Sequence, residues 1–274
     1  MDKALGYEPG DSRFEFWAVH QKSKYRMKKI KIFVLNLKKN RNRRRHIVSE
    51  LKKQNIEDYE IIEAIDGNKL TKKKLYTIIC KDKKIFNPTN TNMSAGEVAC
   101  ALSHVKIYKK FLKSKFELAL IFEDDAVFLE NFTEKLKKFI LKNFRYKSQI
   151  ILLSKLIQFY KKPIDEIKSH EFVEVTKASQ THSYLINRKA AQSIISFNYP
   201  VKTLADNFLV FRAYCGIKIF GLNPYITTQD KKKFRSNLPS KIDLYKIFKF
   251  KVYLADKKNK ILKSWFKKLI SHYY

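Results

Sequence analysis

The sequence predicts an α/β fold, and three stretches carry that expectation. The apolar strand Ile30 to Leu37 is followed by the basic stretch Lys38 to Arg45. A helical pattern comes next, His46 to Gln54, with Ile47, Val48 and Leu51 on one face, and then a second strand, Ile56 to Ala64. That strand–helix–strand order is one half of a doubly wound, nucleotide-binding type of sheet. Leu118 to Phe122 is an unbroken apolar run, which reads as a strand buried on both faces, and it ends abruptly in Glu123, Asp124 and Asp125. Ser94 and Glu97, three residues apart, form a capping box that opens a helix running to about Leu112.

The other elements follow in order. Residues 1–26 mix Gly, Pro, acids and aromatics without a period and read as an extension ahead of Met27, poorly ordered or a remnant of an upstream start. Asp66-Gly67 is a turn signal closing the second strand. Leu70 to Asn92 is Lys-rich and irregular, a short helix and a loop over the site. Phe132 to Phe144 has the pattern of an amphipathic helix, and Gln149 to Leu153 of another strand. A ragged stretch, 154–170, precedes strands at Phe172 to Thr176 and Thr181 to Ile186 and helices at Arg188 to Ser196 and Phe208 to Tyr214. Ile217 to Gly221 is a last short strand, broken by Asn223-Pro224. From Lys231 the chain turns Lys-rich and aromatic.

Composition bounds the function classes. At 274 residues with 45% hydrophobic and 14% aromatic content, the chain can bury a full core and is not a disordered protein. A formal charge of +32 points to an anionic partner: nucleic acid, a nucleotide or an anionic membrane. Three cysteines, Cys80, Cys100 and Cys215, are odd in number and lack a metal-type spacing, which fits free thiols in a reducing compartment. No stretch offers ~18 consecutive apolar residues for a spanning helix, and the N-terminus has no apolar core of an export signal.

Three adjacent carboxylates at a strand end repel one another unless a cation meets them. Mg²⁺ and Mn²⁺ prefer such oxygen ligands and would also hold a diphosphate. Taken alone, the triplet reads as well as a solvated strand end. Arg41, Arg43, Arg44 and Arg45 follow the first strand where a phosphate would lie, and Arg matches phosphate bidentately; the alternative is a solvated helix start. On the capped helix Glu97, Ala101, His104 and Tyr108 share one side. A lone helical histidine is more often structural than catalytic, so His104 stays open between the two.

These stretches together resemble glycosyltransferase family 25, the bacterial lipopolysaccharide and lipooligosaccharide galactosyltransferases with collagen galactosyltransferases as animal relatives. The resemblance rests on ordered segments: Phe33-Val34-Leu35-Asn36-Leu37 with Arg43-Arg44-Arg45-His46-Ile47; Ala64-Ile65-Asp66-Gly67; Ser94-Ala95-Gly96-Glu97 through Leu102-Ser103-His104; Leu120 through Asp125; Thr181-His182-Ser183-Tyr184-Leu185-Ile186; and Ala205-Asp206 with Leu222-Asn223-Pro224. They cover roughly residues 30–230, and six in order make a specific pattern. The resemblance implies a GT-A-like nucleotide-sugar-binding fold; with the start at Met27 and the change of composition at Lys231, the chain divides into a catalytic domain over 27–230 and a basic, partly helical tail over 231–274. It implies an inverting transfer of a hexose, galactose first, from a UDP-sugar, with Mn²⁺ or Mg²⁺. Glu123-Asp124-Asp125 then resembles the Asp-x-Asp metal motif, with Asp125 the first candidate ligand beside Asp124 and Glu123. The donor side would be formed by Asn36, Leu37, Arg43, Arg44, Asp66, Gly67, Glu97, Glu123 and Asp124. Lys38-Lys39 departs from the family, where many relatives carry an acid.

An in-line displacement also needs a base for the attacking hydroxyl. Asp206 is the first candidate, with His182 and His104 behind it; the alternative role of Asp206 is the cap of the helix starting near Phe208. The tail carries 14 basic residues against 2 acidic. Ile261, Leu262, Trp265, Phe266, Leu269 and Ile270 form one stripe opposite Lys260, Lys263, Lys267 and Lys268, the pattern of a helix lying in a membrane interface. It equally suits a helix that docks on protein. With a lipid-linked oligosaccharide as acceptor, the expected place is the cytoplasmic face of the bacterial inner membrane. Two other readings stay open: UDP-glucose or UDP-N-acetylhexosamine as donor, and a non-catalytic nucleic-acid- or glycan-binding protein. The basic residues scatter, and no nucleic-acid motif is present, so no specific nucleic acid is expected.

Overall fold

The computed structural model describes residues 30–78, 93–144, 146–167, 170–230 and 233–234. The N-terminal extension, Cys80, most of the expected loop over the site and the amphipathic tail lie outside the described residues.

Strand β1 (Ile30–Asn36), helix α1 (Arg41–Lys53) and strand β2 (Tyr59–Glu63) form the expected first unit, with β1 and β2 parallel. Helix α1 begins five residues earlier than the apolar pattern suggests. Its apolar period starts only at Ile47, but arginine is a good helix former and extends the helix to the chain turn at Asn40. A short turn, Gly67–Lys69, and helix α2 (Lys72–Ile78) follow.

Helix α3 (Ala95–Lys113) opens on the full capping box: Ser94 Oγ accepts from the Glu97 N–H at 3.2 Å, and Glu97 Oε2 accepts from the Ser94 N–H at 2.9 Å. The chain continues through β3 (Leu118–Glu123), β4 (Ala126–Phe128), α4 (Phe132–Asn143), β5 (Gln149–Leu152), β6 (Gln158–Phe159) and β7 (Asp165–Ile167). It ends in β8 (His170–Lys177), β9 (Ser183–Asn187), α5 (Arg188–Asn198), α6 (Phe208–Cys215), β10 (Lys218–Asn223) and β11 (Thr227–Gln229).

The main sheet has the order β2-β1-β3-β9-β5-β10-β8-β6, with β7 beside β8. Strands β2, β1 and β3 run parallel; β9 then enters antiparallel between β3 and β5. The α/β class is as expected, and the GT-A-like expectation is met in this layering of a parallel half merged with a mixed half. The small pair β4–β11 had no signal in the sequence, because three-residue strands carry no readable period.

Two cores sandwich the sheet. On one face Ile107, Tyr108 and Phe111 of α3, Ala190, Ala191 and Ile194 of α5, and Phe208 and Phe211 of α6 pack on Ala119 and Ile121. On the other, Ile47 and Leu51 of α1 and Phe132 and Leu136 of α4 pack on Leu118, Leu120 and Phe122. Leu51 is fully buried, and truncating such a residue to alanine costs about 2–5 kcal/mol. Alternate residues of β3 thus belong to opposite faces, and this period of two governs what happens at its end.

Candidate active site

Parallel strands leave their ligand crevice at the carboxyl ends. Here the ends of β1, β2 and β3 open into a cleft of about 860 Å³, within the range of a small-molecule site. Its lining includes Leu37, Lys39, Asn40, Arg43, Asp66, Gly67, Glu97, Cys100, the three acids, Gln180, Thr181, Asp206, Gln229 and Phe234.

The acidic triplet does not act as one cluster. Glu123 continues the parity of Ala119 and Ile121 and turns toward α3: its Oε1 accepts from Thr181 Oγ1 and lies 3.3 Å from His104 Nε2. Burial pushes this carboxyl up, but the bonds from His104 and Thr181 outweigh it and hold the group below its usual value. Asp124 turns the other way. Its Oδ2 accepts from Asn36 Nδ2 at 2.7 Å, and its Oδ1 meets Arg43 at 3.0 Å. Asp125 Oδ2 takes the second arm of Arg43 at 2.5 Å, and Gln229 Nε2 approaches both its oxygens at 3.3 and 3.4 Å. Burial dominates at both aspartates. It lifts Asp124 to about 6 against the pull of Arg43 and Asn36, and it raises Asp125 together with the charge of Glu123.

One arginine therefore bridges two carboxylates from the first turn of α1. A helix repeat of 3.6 turns its neighbours away: Arg44 is exposed and outside the cleft lining, contrary to the expectation that it joins Arg43 at the donor. Phe234 covers Arg43, its ring centre 5.4 Å from the guanidinium, and packs edge-on to His46 at 5.0 Å. The Asp230 N–H donates to the Asp125 carbonyl at 3.3 Å, which anchors this segment.

Asp66 sits at the β2 end, paired with Lys39 at 2.7 Å and accepting from the Asn68 N–H at 3.1 Å; the Lys39 bond, then that N–H, lowers its carboxyl. Lys39 is thus the partner of a cleft acid. A side chain at Gly67 would meet the Gly96 Cα at 2.6 Å, so glycine lets the turn press against the start of α3.

Asp206 lines the cleft and is not the helix cap. Asn207 caps α6, accepting from the Val210 N–H, while Asp206 Oδ2 accepts from the Gln180 N–H at 3.2 Å. Gln180 holds φ at +94°, a region costly for a residue with a side chain. His104 is buried on α3: Nε2 faces Glu123, and Nδ1 lies 2.8 Å from the Tyr184 hydroxyl, itself 2.7 Å from that of Tyr108. His182 is buried behind Thr181, and neither histidine belongs to the cleft lining. Gln229 and Phe234 carried no signal in the sequence, because they reach the cleft through chain reversals rather than a motif, and Asn40 lies unmarked within the basic stretch after β1. Thr181 and Cys100 were visible only as members of longer segments.

The parallel strands of this α/β sheet thus end on a buried carboxylate pair and an arginine at an open cleft. A sequence model described as glycosyltransferase family 25 (LPS biosynthesis protein) matches residues 29–209, and the chain belongs to that family. The lipooligosaccharide biosynthesis protein lic2B of Haemophilus influenzae is 25% identical over 260 residues, 86% of this chain and 95% of that one. Human procollagen galactosyltransferase 2 is 28% identical over 184 residues, 65% of this chain, but the match spans only 29% of that protein's length. Among solved structures, a Drosophila β-1,4-galactosyltransferase 7 in complex with manganese, UDP-Gal and xylobiose covers 80% of this chain and 78% of its own at 8% identity. Its TM-score is 0.39.

Proposed function

We propose that the chain transfers a hexose, galactose first, from a UDP-sugar to a lipooligosaccharide or lipopolysaccharide acceptor sugar, with inversion at the anomeric carbon. The observation that carries this reading is the buried Asp124–Asp125 pair held by Arg43 at the open end of β3, in a chain of this family. The names of the Haemophilus and human relatives favour the acceptor and the sugar respectively.

The residues fit a hard divalent cation, Mn²⁺ or Mg²⁺. Asp124 and Asp125 offer only oxygen donors, two carboxylates that share the single guanidinium of Arg43. When bound, such an ion offsets the charge that develops on the leaving diphosphate. The chain's own groups act around it. Arg43 has a buried Nε without a partner, and Asn40 a buried Nδ2, so both residues keep donors for an oxygen-rich ligand. Asn36 holds Asp124 in place.

At the acceptor, Asp206 takes the proton of the attacking hydroxyl. The new bond joins that oxygen to the anomeric carbon, and the bond from that carbon to the diphosphate oxygen breaks, releasing UDP. The Gln180 N–H keeps the Asp206 carboxylate oriented. His104 and His182 serve this step less well, being buried beside Glu123 and away from the cleft surface.

The decisive experiment is transfer from a panel of UDP-sugars to truncated lipooligosaccharide, with and without Mn²⁺, with product mass and anomeric configuration measured. Turnover of UDP-galactose to a β-linked product is expected; hydrolysis or transfer of none of the panel would sink the reading. No described helix is long and apolar enough to cross a membrane. On the sequence of the tail alone, we assign it to an anionic membrane surface on the cytoplasmic side, with a catalytic unit over 27–230. Deleting 257–274 should abolish salt-sensitive sedimentation with anionic liposomes; unchanged sedimentation would refute that.

A further inference from the structure

The α3 face of β3 carries a donor set that the transfer reaction does not use. Cys100 and His104 stand one helical turn apart on α3, and Glu123 reaches them from the strand. Their ligand atoms, Sγ, a ring nitrogen and a carboxylate oxygen, all lie within 4.8 Å of one another. Among the described residues this is the group of three such donors that could enclose an ion; the acidic triplet is not one.

We propose that Cys100, His104 and Glu123 form a second cation site, selective for a borderline-soft divalent metal such as Zn²⁺ and distinct from the Asp124–Asp125 pair. The donor chemistry separates the two: thiolate and imidazole favour zinc, whereas two carboxylates favour Mg²⁺ or Mn²⁺. The spacing agrees. Two donors bonded at ~2.0–2.1 Å to a tetrahedral zinc sit about 3.3–3.4 Å apart, and His104 Nε2 lies 3.3 Å from Glu123 Oε1.

The surroundings suit the task. A ligating histidine needs its other nitrogen held, and His104 Nδ1 faces the Tyr184 hydroxyl at 2.8 Å. Tyr184 in turn meets the Tyr108 hydroxyl, so this chain of hydroxyls can reverse its direction. Nδ1 then donates and Nε2 is free to bind. Thr181 fixes the Glu123 carboxylate. On binding, His104 changes only its tautomer, and the Cys100 thiol gives one proton to solvent. Cys100 and Glu123 both line the cleft, so ions have a path, and a fourth ligand could come from the solvent there. Three protein ligands with one open position is the pattern of an accessible zinc.

This inference rests on donor geometry and stands whether or not the chain is a transferase. The test is Co²⁺ substitution in the full chain after chelator treatment, read by optical absorption. One Co²⁺ per chain should give the intense d–d bands of a tetrahedral site and a thiolate-to-metal charge-transfer band. Zn²⁺ should displace the Co²⁺. Cys100→Ser should remove the charge-transfer band, whereas Cys80→Ser, Cys215→Ser and Asp125→Asn should keep it. Tyr184→Phe should weaken binding ~10–100-fold, as expected when a group orienting a ligand is lost. As a check independent of folding in the variants, Zn²⁺ should slow alkylation of Cys100 in the unmodified chain. A band that survives Cys100→Ser, a band lost in Asp125→Asn, or alkylation unaffected by Zn²⁺ would overturn the proposal.

Discussion

The two faces of β3 receive the same chemistry and treat it in opposite ways. Glu123 and Asp124 are adjacent carboxylates, yet one is set against a hydroxyl and an imidazole and the other against a guanidinium. On the α3 face Glu123 is satisfied by Thr181 and His104, and its carboxyl is held below the usual range. On the α1 face Asp124 and Asp125 share one arginine, and burial still lifts both. An acid's role is therefore set by the side of the strand on which it emerges and by the helix packed there. A patch of like residues in the sequence does not amount to one site.

The largest expected effect lies across the cleft from the aspartate pair. Gln180 and Thr181 are consecutive, and they address different acids: Thr181 donates to Glu123, and Gln180 to Asp206. Removing a general base typically costs 10²–10⁴-fold. Asp206→Asn should lower the rate of transfer by roughly that factor, with UDP binding nearly unchanged. Equal turnover in the variant would strip the acceptor wall of its acid.

Next comes the donor wall. Asp125→Asn should cost ~10²–10³ in turnover, the usual loss of one stabiliser of transition-state charge. The melting temperature should stay close to that of the parent, because the substitution removes a buried charge that Arg43 only partly balances. Glu123→Ala should do the reverse. It leaves the Thr181 hydroxyl and the His104 ring without their acceptor, a loss of about 1–3 kcal/mol per stranded buried group, read as a lower melting temperature. If Asp125→Asn were the variant that melts early and Glu123→Ala the one that stops turnover, the contrast between the two faces would collapse.

Much of this was legible beforehand, for identifiable reasons. The apolar run into Glu123, the capping box and the β1–α1–β2 unit all rest on local periods, and each is found within a few residues of its expected place. The alternation along β3 was also readable in principle. What it could not provide was the identity of the helix on each side, which depends on how β9 enters the sheet between β3 and β5. Gln229 and Phe234 lie more than a hundred residues from the acids and come back through the β4–β11 pair, whose strands are too short for a pattern. The alternative role of Asp206, the cap of α6, falls to the next residue, Asn207. Asp206 and Asn207 are both good capping residues, and only the fold decides which side-chain oxygen reaches the Val210 N–H.

The smallest expected effect tests the same lesson on α1. Arg43 and Arg44 are consecutive, identical in charge and equally able to bind a phosphate. The helix turns each residue about 100° from the last, so Arg43 faces the aspartates and Arg44 faces solvent. Arg44→Ala should therefore change stability by no more than about 0.5 kcal/mol, as for other exposed sites away from a network. It should leave the Michaelis constant for the UDP-sugar unaltered at physiological salt, because an exposed charge turned away from the cleft is screened by water and salt. Arg43→Ala on the same background should weaken donor binding, since it leaves two buried carboxylates without their counter-ion. Comparable losses in the two variants would mean that the ligand reads the whole basic cluster as a field. A loss confined to Arg43 would mean that it reads one guanidinium placed by helix geometry.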